Sequence, residues 1–201
     1  MFKEHQRQIS DRALETDQGT IELFAFVFCT IQQRFDRMEQ QMQDVRANGL
    51  DAKSLFGSKR KGLEYVFDNV QHLRTILRRC KEGVTCPIET LSEIAEVPGL
   101  GLVKAGFVMQ LATVYIGCLD THNLNRFGLD AQAFKYSKTA TSTLKKRKAK
   151  LYADMCQQCG GSEYLWNSWC ELVAAKYPAI WNDAFHVSAY HNACLFTLGR
   201  L

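Results

Sequence analysis

The stretch LSEIAEVPGLGLVKAGFVMQLATVYIGCLDTHNLNRFG, Leu91 to Gly128, decides how this chain folds. Leu91, Ile94 and Ala95 form an apolar stripe at helical spacing. Val97-Pro98-Gly99-Leu100-Gly101 breaks it, and Val103 to Ala112 starts a second one. Such spacing on both sides of a Pro/Gly turn predicts a helix, a tight hairpin and a helix. The hairpin glycines let backbone N–H groups approach an anion closely, and the second helix offers its N-terminus to the same anion. A phosphate is the natural candidate. Nineteen residues after Gly101, in Cys118-Leu119-Asp120-Thr121-His122-Asn123, Asp120 is placed to cap a further helix that carries Leu124 and Phe127.

Upstream, residues 3–18 predict a short polar helix. Gly19-Thr20 then precedes a long helix from Ile21 to Asn48 that Gly49 ends. Its first half, IELFAFVFC, is apolar almost all round and belongs in the core. The next helix, Ser58 to Cys80, turns Leu63, Val66, Phe67, Val70, Leu73, Ile76 and Leu77 inward. Arg74, Arg78, Arg79 and Lys81 crowd its end, where cations suit the helix dipole. Gly83 to Pro87 is a loop, and Glu89 begins the first helix of the hairpin unit.

Downstream, a helix from Ser137 to Cys156 carries Lys145-Lys146-Arg147-Lys148-Ala149-Lys150. Five cations in six positions cannot share one face of a helix. They form either a solvated face or a phosphate-tracking patch that is blind to sequence and sensitive to salt. Gly160-Gly161 stops that helix and Ser162 can cap the next, with Glu163 in its first turn. The last helix, Asn182 to Leu198, holds His186, Ser188, Tyr190 and His191 as core or cleft-rim polar groups.

The composition suits an all-α globular protein. Hydrophobic residues make up 46% and charged residues 23%, which separates the chain from disordered sequences, and there are only three prolines and few alternating runs. A net charge of +4 permits nucleic-acid binding without requiring it. Eight cysteines and a polar start, MFKEHQRQISDRAL, point to reduced thiols in the cytoplasm. No apolar run approaches the roughly 20 residues needed to span a bilayer, so no membrane partner is expected.

The hairpin followed by Leu119-Asp120-Thr121-His122 resembles the helix–hairpin–helix DNA glycosylase superfamily, which includes endonuclease III and the adenine-mismatch glycosylases. The spacing is one residue shorter than the family's. The resemblance implies an all-α, two-lobed fold that works as a monomer on DNA. One lobe spans 20–126 and contains the hairpin at 91–112; the other combines 1–19 with 129–201. It also implies a polar residue that fills the space left by a flipped base, at Gln32 with Gln33 as the neighbour. Gly99, Gly101 and Lys104, together with Lys145, Lys146, Arg147 and Lys148, are the remaining DNA-contact candidates. The segment CGGSEYLWNSWC, following CLDTHN, resembles a phage-encoded branch, the α-glutamyl/putrescinyl-thymine pyrophosphorylases. These are amino acid:DNA transferases linked to hypermodified thymine, and membership would place the protein in host cytoplasm.

By this resemblance Asp120 is the catalytic carboxylate. It would stabilise an oxocarbenium-like sugar and orient or deprotonate water as a base departs. As a plain N-cap it would contribute about 1 kcal/mol, and the two roles are compatible. His122, Asn123, Tyr164 and Trp166 are candidate pocket walls. Bifunctional members carry a lysine nucleophile two residues past the second hairpin glycine. Here that position is Val103, and Lys104 lies about 100° around the helix. No efficient Schiff-base lyase activity is therefore expected. Hydrolysis of a modified pyrimidine, or replacement of pyrophosphate by an amine at the thymine 5-methylene, remains. A non-catalytic DNA-binding module would instead leave every activity unchanged in Asp120→Asn. Cys156-x-x-Cys159 invites a metal reading, with Cys170 a third ligand and Cys194, His186 or His191 a fourth. The spacing does not reproduce the iron–sulfur cysteines of endonuclease III. Buried thiols and no cofactor are expected.

Overall fold

The computed structural model describes residues 10–31 and 37–176. Gln32, Gln33 and the expected last helix lie outside the described residues. Among those described the chain is all-α, with no strand. After a helical segment at 10–15 come α1 (Asp17–Cys29), α2 (Met38–Asn48), α3 (Ser58–Lys81), α4 (Pro87–Ile94), α5 (Leu102–Ala112), α6 (Thr121–Phe127), α7 (Ser142–Gln158) and α8 (Gly161–Lys176). No described helix is long and apolar enough to cross a membrane.

α1 and α5 run through the middle, as their all-round apolarity requires. Every residue from Ile21 to Cys29 is buried, and so is every residue from Ala105 to Ala112. α3 lies along α1 and presents Leu63, Val66, Leu73 and Leu77 to it. α4 packs on both α5 and α7.

The structure corrects several boundaries. Gly19-Thr20 is not a break but lies inside α1. Thr16 caps that helix by accepting a bond from the Gly19 N–H at 3.0 Å, so the helix begins ahead of the glycine. The expected 21–48 helix ends at Cys29, where Thr30 turns its hydroxyl onto Val27 O at 2.6 Å. Phe67, expected inside, is 41% exposed, and an irregular backbone at Asn69 separates its turn from Leu73 and Leu77. Ser162 does not cap α8. The helix begins at Gly161, and Ser162 is buried in its first turn.

The Leu91–Gly128 stretch folds as read. α4 ends at Ile94, the turn runs through Pro98 to Gly101, and α5 follows. Gly99 requires its glycine on two counts: its φ is +83°, and a Cβ there would sit 2.7 Å from Ser58 O. α6 is capped by Asp120 and closed by Gly128 in the left-handed conformation.

Candidate functional site

Asp120 caps α6 by accepting a bond from the Asn123 N–H at 2.9 Å, and this fixes its carboxylate at the mouth of a cavity. The cavity encloses about 160 Å³ between four elements. α5 supplies Lys104, Phe107 and Gln110, which share one helix face at spacings of three. α8 supplies Leu165, Trp166 and Trp169, α1 ends there at Thr30, and Cys118 and Asn123 complete the wall.

The backbone that carries Asp120 is held from behind. Tyr152 of α7, fully buried, accepts from Leu119 N at 2.9 Å and donates to Gly117 O at 3.0 Å. Asn123 is 1% exposed; its amide donates to Cys118 O at 3.0 Å and to Leu165 O at 3.3 Å, tying α6 to α8. Its carbonyl oxygen is buried without a partner among the described residues. Such an acceptor ordinarily finds a donor. Gln110 is likewise anchored through its amide nitrogen, which donates to Ser162 O at 2.9 Å.

Unlike Val103, Lys104 lines the cavity that Asp120 lines. Its ammonium donates to Thr30 Oγ1 at 3.0 Å, lies 5.7 Å from the Phe107 ring centroid and lines the same cavity as Asp120. Asp120 approaches α5 on the face of Lys104, Phe107 and Gln110. Val103 lines a second groove, which Lys104 also lines.

That second groove, about 340 Å³, runs along the hairpin. Leu100, Gly101, Val103 and Lys104 form one bank, with Lys135, Tyr136 and Lys138 opposite. Gly101 precedes α5 without a side-chain cap, so no side chain competes for the first N–H groups of that helix. Lys104 belongs to both cavities.

Of the four pocket candidates, Asn123 and Trp166 line the cavity, whereas His122 and Tyr164 stand apart from it. Both belong to a cluster around Arg126. The guanidinium donates to Ser168 Oγ at 2.8 Å and to Tyr164 OH at 3.0 Å, and His122 Nε2 lies 3.5 Å from the same serine oxygen. No family model matches this chain, and no curated protein or solved structure matches it.

The basic run of α7 splits into two sets. Lys145 pairs with Glu96 at 2.6 Å, and Lys148 donates to Ala133 O at 2.5 Å. Lys146, Arg147 and Lys150 are exposed, with Lys146 3.7 Å from Glu89 and Lys150 2.9 Å from Asp154. Exposed pairs of this kind are weak, about 0–1 kcal/mol, so an incoming phosphate can exchange with the carboxylates.

Among the described residues no cluster of His, Cys, Asp or Glu could hold a metal. Cys156 and Cys159 are buried, and Cys156 Sγ donates to Gly117 O at 3.4 Å. Burial pushes the Cys156 thiol far up, and Cys118 and Cys170 up to about 12, so all three are poor nucleophiles. Cys194, His186 and His191 lie outside the described residues.

Sequence reasoning missed Thr30, Phe107, Gln110, Tyr152 and Trp169. Trp169 had a signal in its three-residue spacing from Trp166. Tyr152 had none, because its role depends on a loop more than thirty residues away in sequence.

Proposed function

We propose that this protein is a DNA-binding enzyme of helix–hairpin–helix glycosylase type, acting on a flipped, modified pyrimidine with Asp120 as its carboxylate. The observation that carries the reading is the shared cavity: one fixed acid, one lysine and one amide oxygen without a partner among the described residues line it together. A base buried in a duplex is unreachable, and extruding it costs a few kcal/mol. The indole and phenyl faces of Trp166, Trp169 and Phe107 suit a flipped ring, and Asn123 Oδ1 suits an N–H on its edge. The hairpin groove, with uncapped N–H groups and Lys135 and Lys138, suits the neighbouring phosphate.

In the hydrolytic reading, water attacks C1′ and gives its proton to Asp120 while the C1′–N bond breaks. The departing base takes that bond's electrons, and the carboxylate stabilises the sugar cation. Lys104 Nζ is engaged with Thr30 Oγ1 and the Phe107 ring, which suits a monofunctional enzyme. A second reading is favoured by the same ammonium, because a cation in the cavity aids departure of an anion. In it, an amine attacks the 5-methylene carbon of 5-pyrophosphoryloxymethyluracil in DNA. The C–O bond breaks, pyrophosphate leaves, and Asp120 takes the amine proton.

The test incubates the protein with plain, mismatched and pyrophosphate-bearing modified DNA, the last with and without an amine. Abasic sites support hydrolysis. Pyrophosphate release with a heavier nucleoside supports transfer. Binding without either product reduces the protein to a DNA-binding module, and absence of binding refutes the reading.

A further inference from the structure

The sequence Phe56-Gly57-Ser58-Lys59-Arg60-Lys61-Gly62 opens α3, and its first turn carries a charge of unexpected sign. Cations suit the C-terminal end of a helix, and near the N-terminus they oppose the dipole. Lys59 is nevertheless only 3% exposed, and its ammonium is buried without a hydrogen-bond partner among the described residues. Side chains on a helix lean toward its N-terminus. Lys59 Nζ accordingly lies 4.9 Å from the ring centroid of Phe56, just ahead of the N-terminal Gly57. The charged or ionisable groups that act on it are the Cys29 thiol and Lys104, and burial pulls its ammonium below the usual lysine range. A cation out of water with an aromatic face beside it but no anion among the described residues costs several kcal/mol. Nothing in the packing needs that charge, since a methionine would fill the same space.

The surroundings point to what it serves. Gly57, at φ +58°, offers no side-chain cap to α3. Arg60 and Lys61 are exposed on the same turn. Arg60 makes exposed pairs with Asp51 at 2.9 Å and Glu64 at 3.3 Å. The turn also rests against the hairpin. Ser58 O lies 2.7 Å from where a Gly99 Cβ would stand, and Pro98 O closely covers the Cβ position of Gly62. Phe56, 58% exposed, adds an aromatic face beside the cations.

We propose that the first turn of α3, with Lys59 beneath it and Arg60 and Lys61 beside it, binds a DNA backbone phosphate adjacent to the one held by the hairpin. This rests on the DNA-binding reading above. An incoming phosphodiester supplies the anion that Lys59 lacks and gives the hairpin a second, rigidly attached grip on the same strand.

The test measures affinity for a plain duplex by fluorescence anisotropy across a salt series, with thermal melting in parallel. Lys59→Met is expected to weaken binding roughly tenfold at low salt and to reduce the slope of log K against log salt by about 0.9, one phosphate's worth. Its melting temperature is expected to stay level or rise, because an unpaired buried charge has gone. A lysine needed only for packing would show the opposite pattern, with lower melting and unchanged slope. Exposed Lys61→Ala provides the arm that cannot fail through misfolding, and it is expected to weaken binding and lower the slope as well. Wild-type affinity and slope in both variants overturn the proposal and leave the DNA-binding reading standing. A wild-type chain that binds no duplex overturns both.

Discussion

Replacing Asp120 with Asn separates the two things this residue does. The cap is a single bond from Asn123 N at 2.9 Å to Oδ1, and an asparagine carbonyl oxygen occupies the same place. Asn and Asp are nearly equal as N-caps, so Asp120→Asn should cost only a few tenths of a kcal/mol, whereas Asp120→Ala loses the bond and about 1 kcal/mol. For a chain of this size, about 1 kcal/mol shifts the melting temperature by roughly 2–4 °C. Turnover should respond differently. On the proposed function both substitutions remove the negative charge that would face the sugar, and loss of one fixed electrostatic group of this kind lowers the rate by about 10²–10³. The expected pattern is stability falling in the order wild type, Asn, Ala, with the rate falling equally in both variants. Thermal melting and single-turnover assays on modified DNA measure the two quantities. Asp120→Asn with a rate within twofold of wild type would refute the catalytic role and leave Asp120 a helix cap.

Three further outcomes follow from the packing. Burial raises the Glu22 carboxyl from 4.5 to about 7, with one oxygen lacking any partner among the described residues and the other 3.4 Å from the Gln18 amide. A raised carboxyl favours the folded state at low pH and loses that advantage as pH climbs from 4.5 through 7. Each pH unit across that window weakens the fold by about 1.4 kcal/mol, so Glu22→Gln should match wild type near pH ~4 and exceed it by roughly 3 kcal/mol above pH ~8. Denaturant melts at several pH values check this, and a pH-independent difference contradicts it. Gly62→Ala would press a methyl group against Phe28 Cε1, 2.6 Å away, and Pro98 O. It should cost about 1–3 kcal/mol and weaken DNA binding by displacing the hairpin, measured by melting and anisotropy. Borohydride treatment of the wild type on abasic DNA should trap no covalent adduct, because the Lys104 Nζ is turned to Thr30 Oγ1 at 3.0 Å; an adduct that vanishes in Lys104→Met would restore lyase chemistry.

Local signals carried far in this chain. The Pro98-Gly99-Leu100-Gly101 hairpin, the α6 cap at Asp120 and its glycine stop were legible because each is satisfied within a few residues, by a positive φ, a cap bond or a broken stripe. The same locality misled at Gly19, where the helix start was decided by a threonine cap three residues earlier. No spacing announces that Tyr152 clamps the loop before Asp120, or that an orphaned Lys59 lies under the hairpin's neighbour. The sequence by itself determined the all-α class, the hairpin between α4 and α5, and the acid placed to cap α6. Which side chains meet that acid was decided only by the tertiary structure, because the cavity joins residues from Thr30 to Trp169 whose proximity depends on how four elements pack.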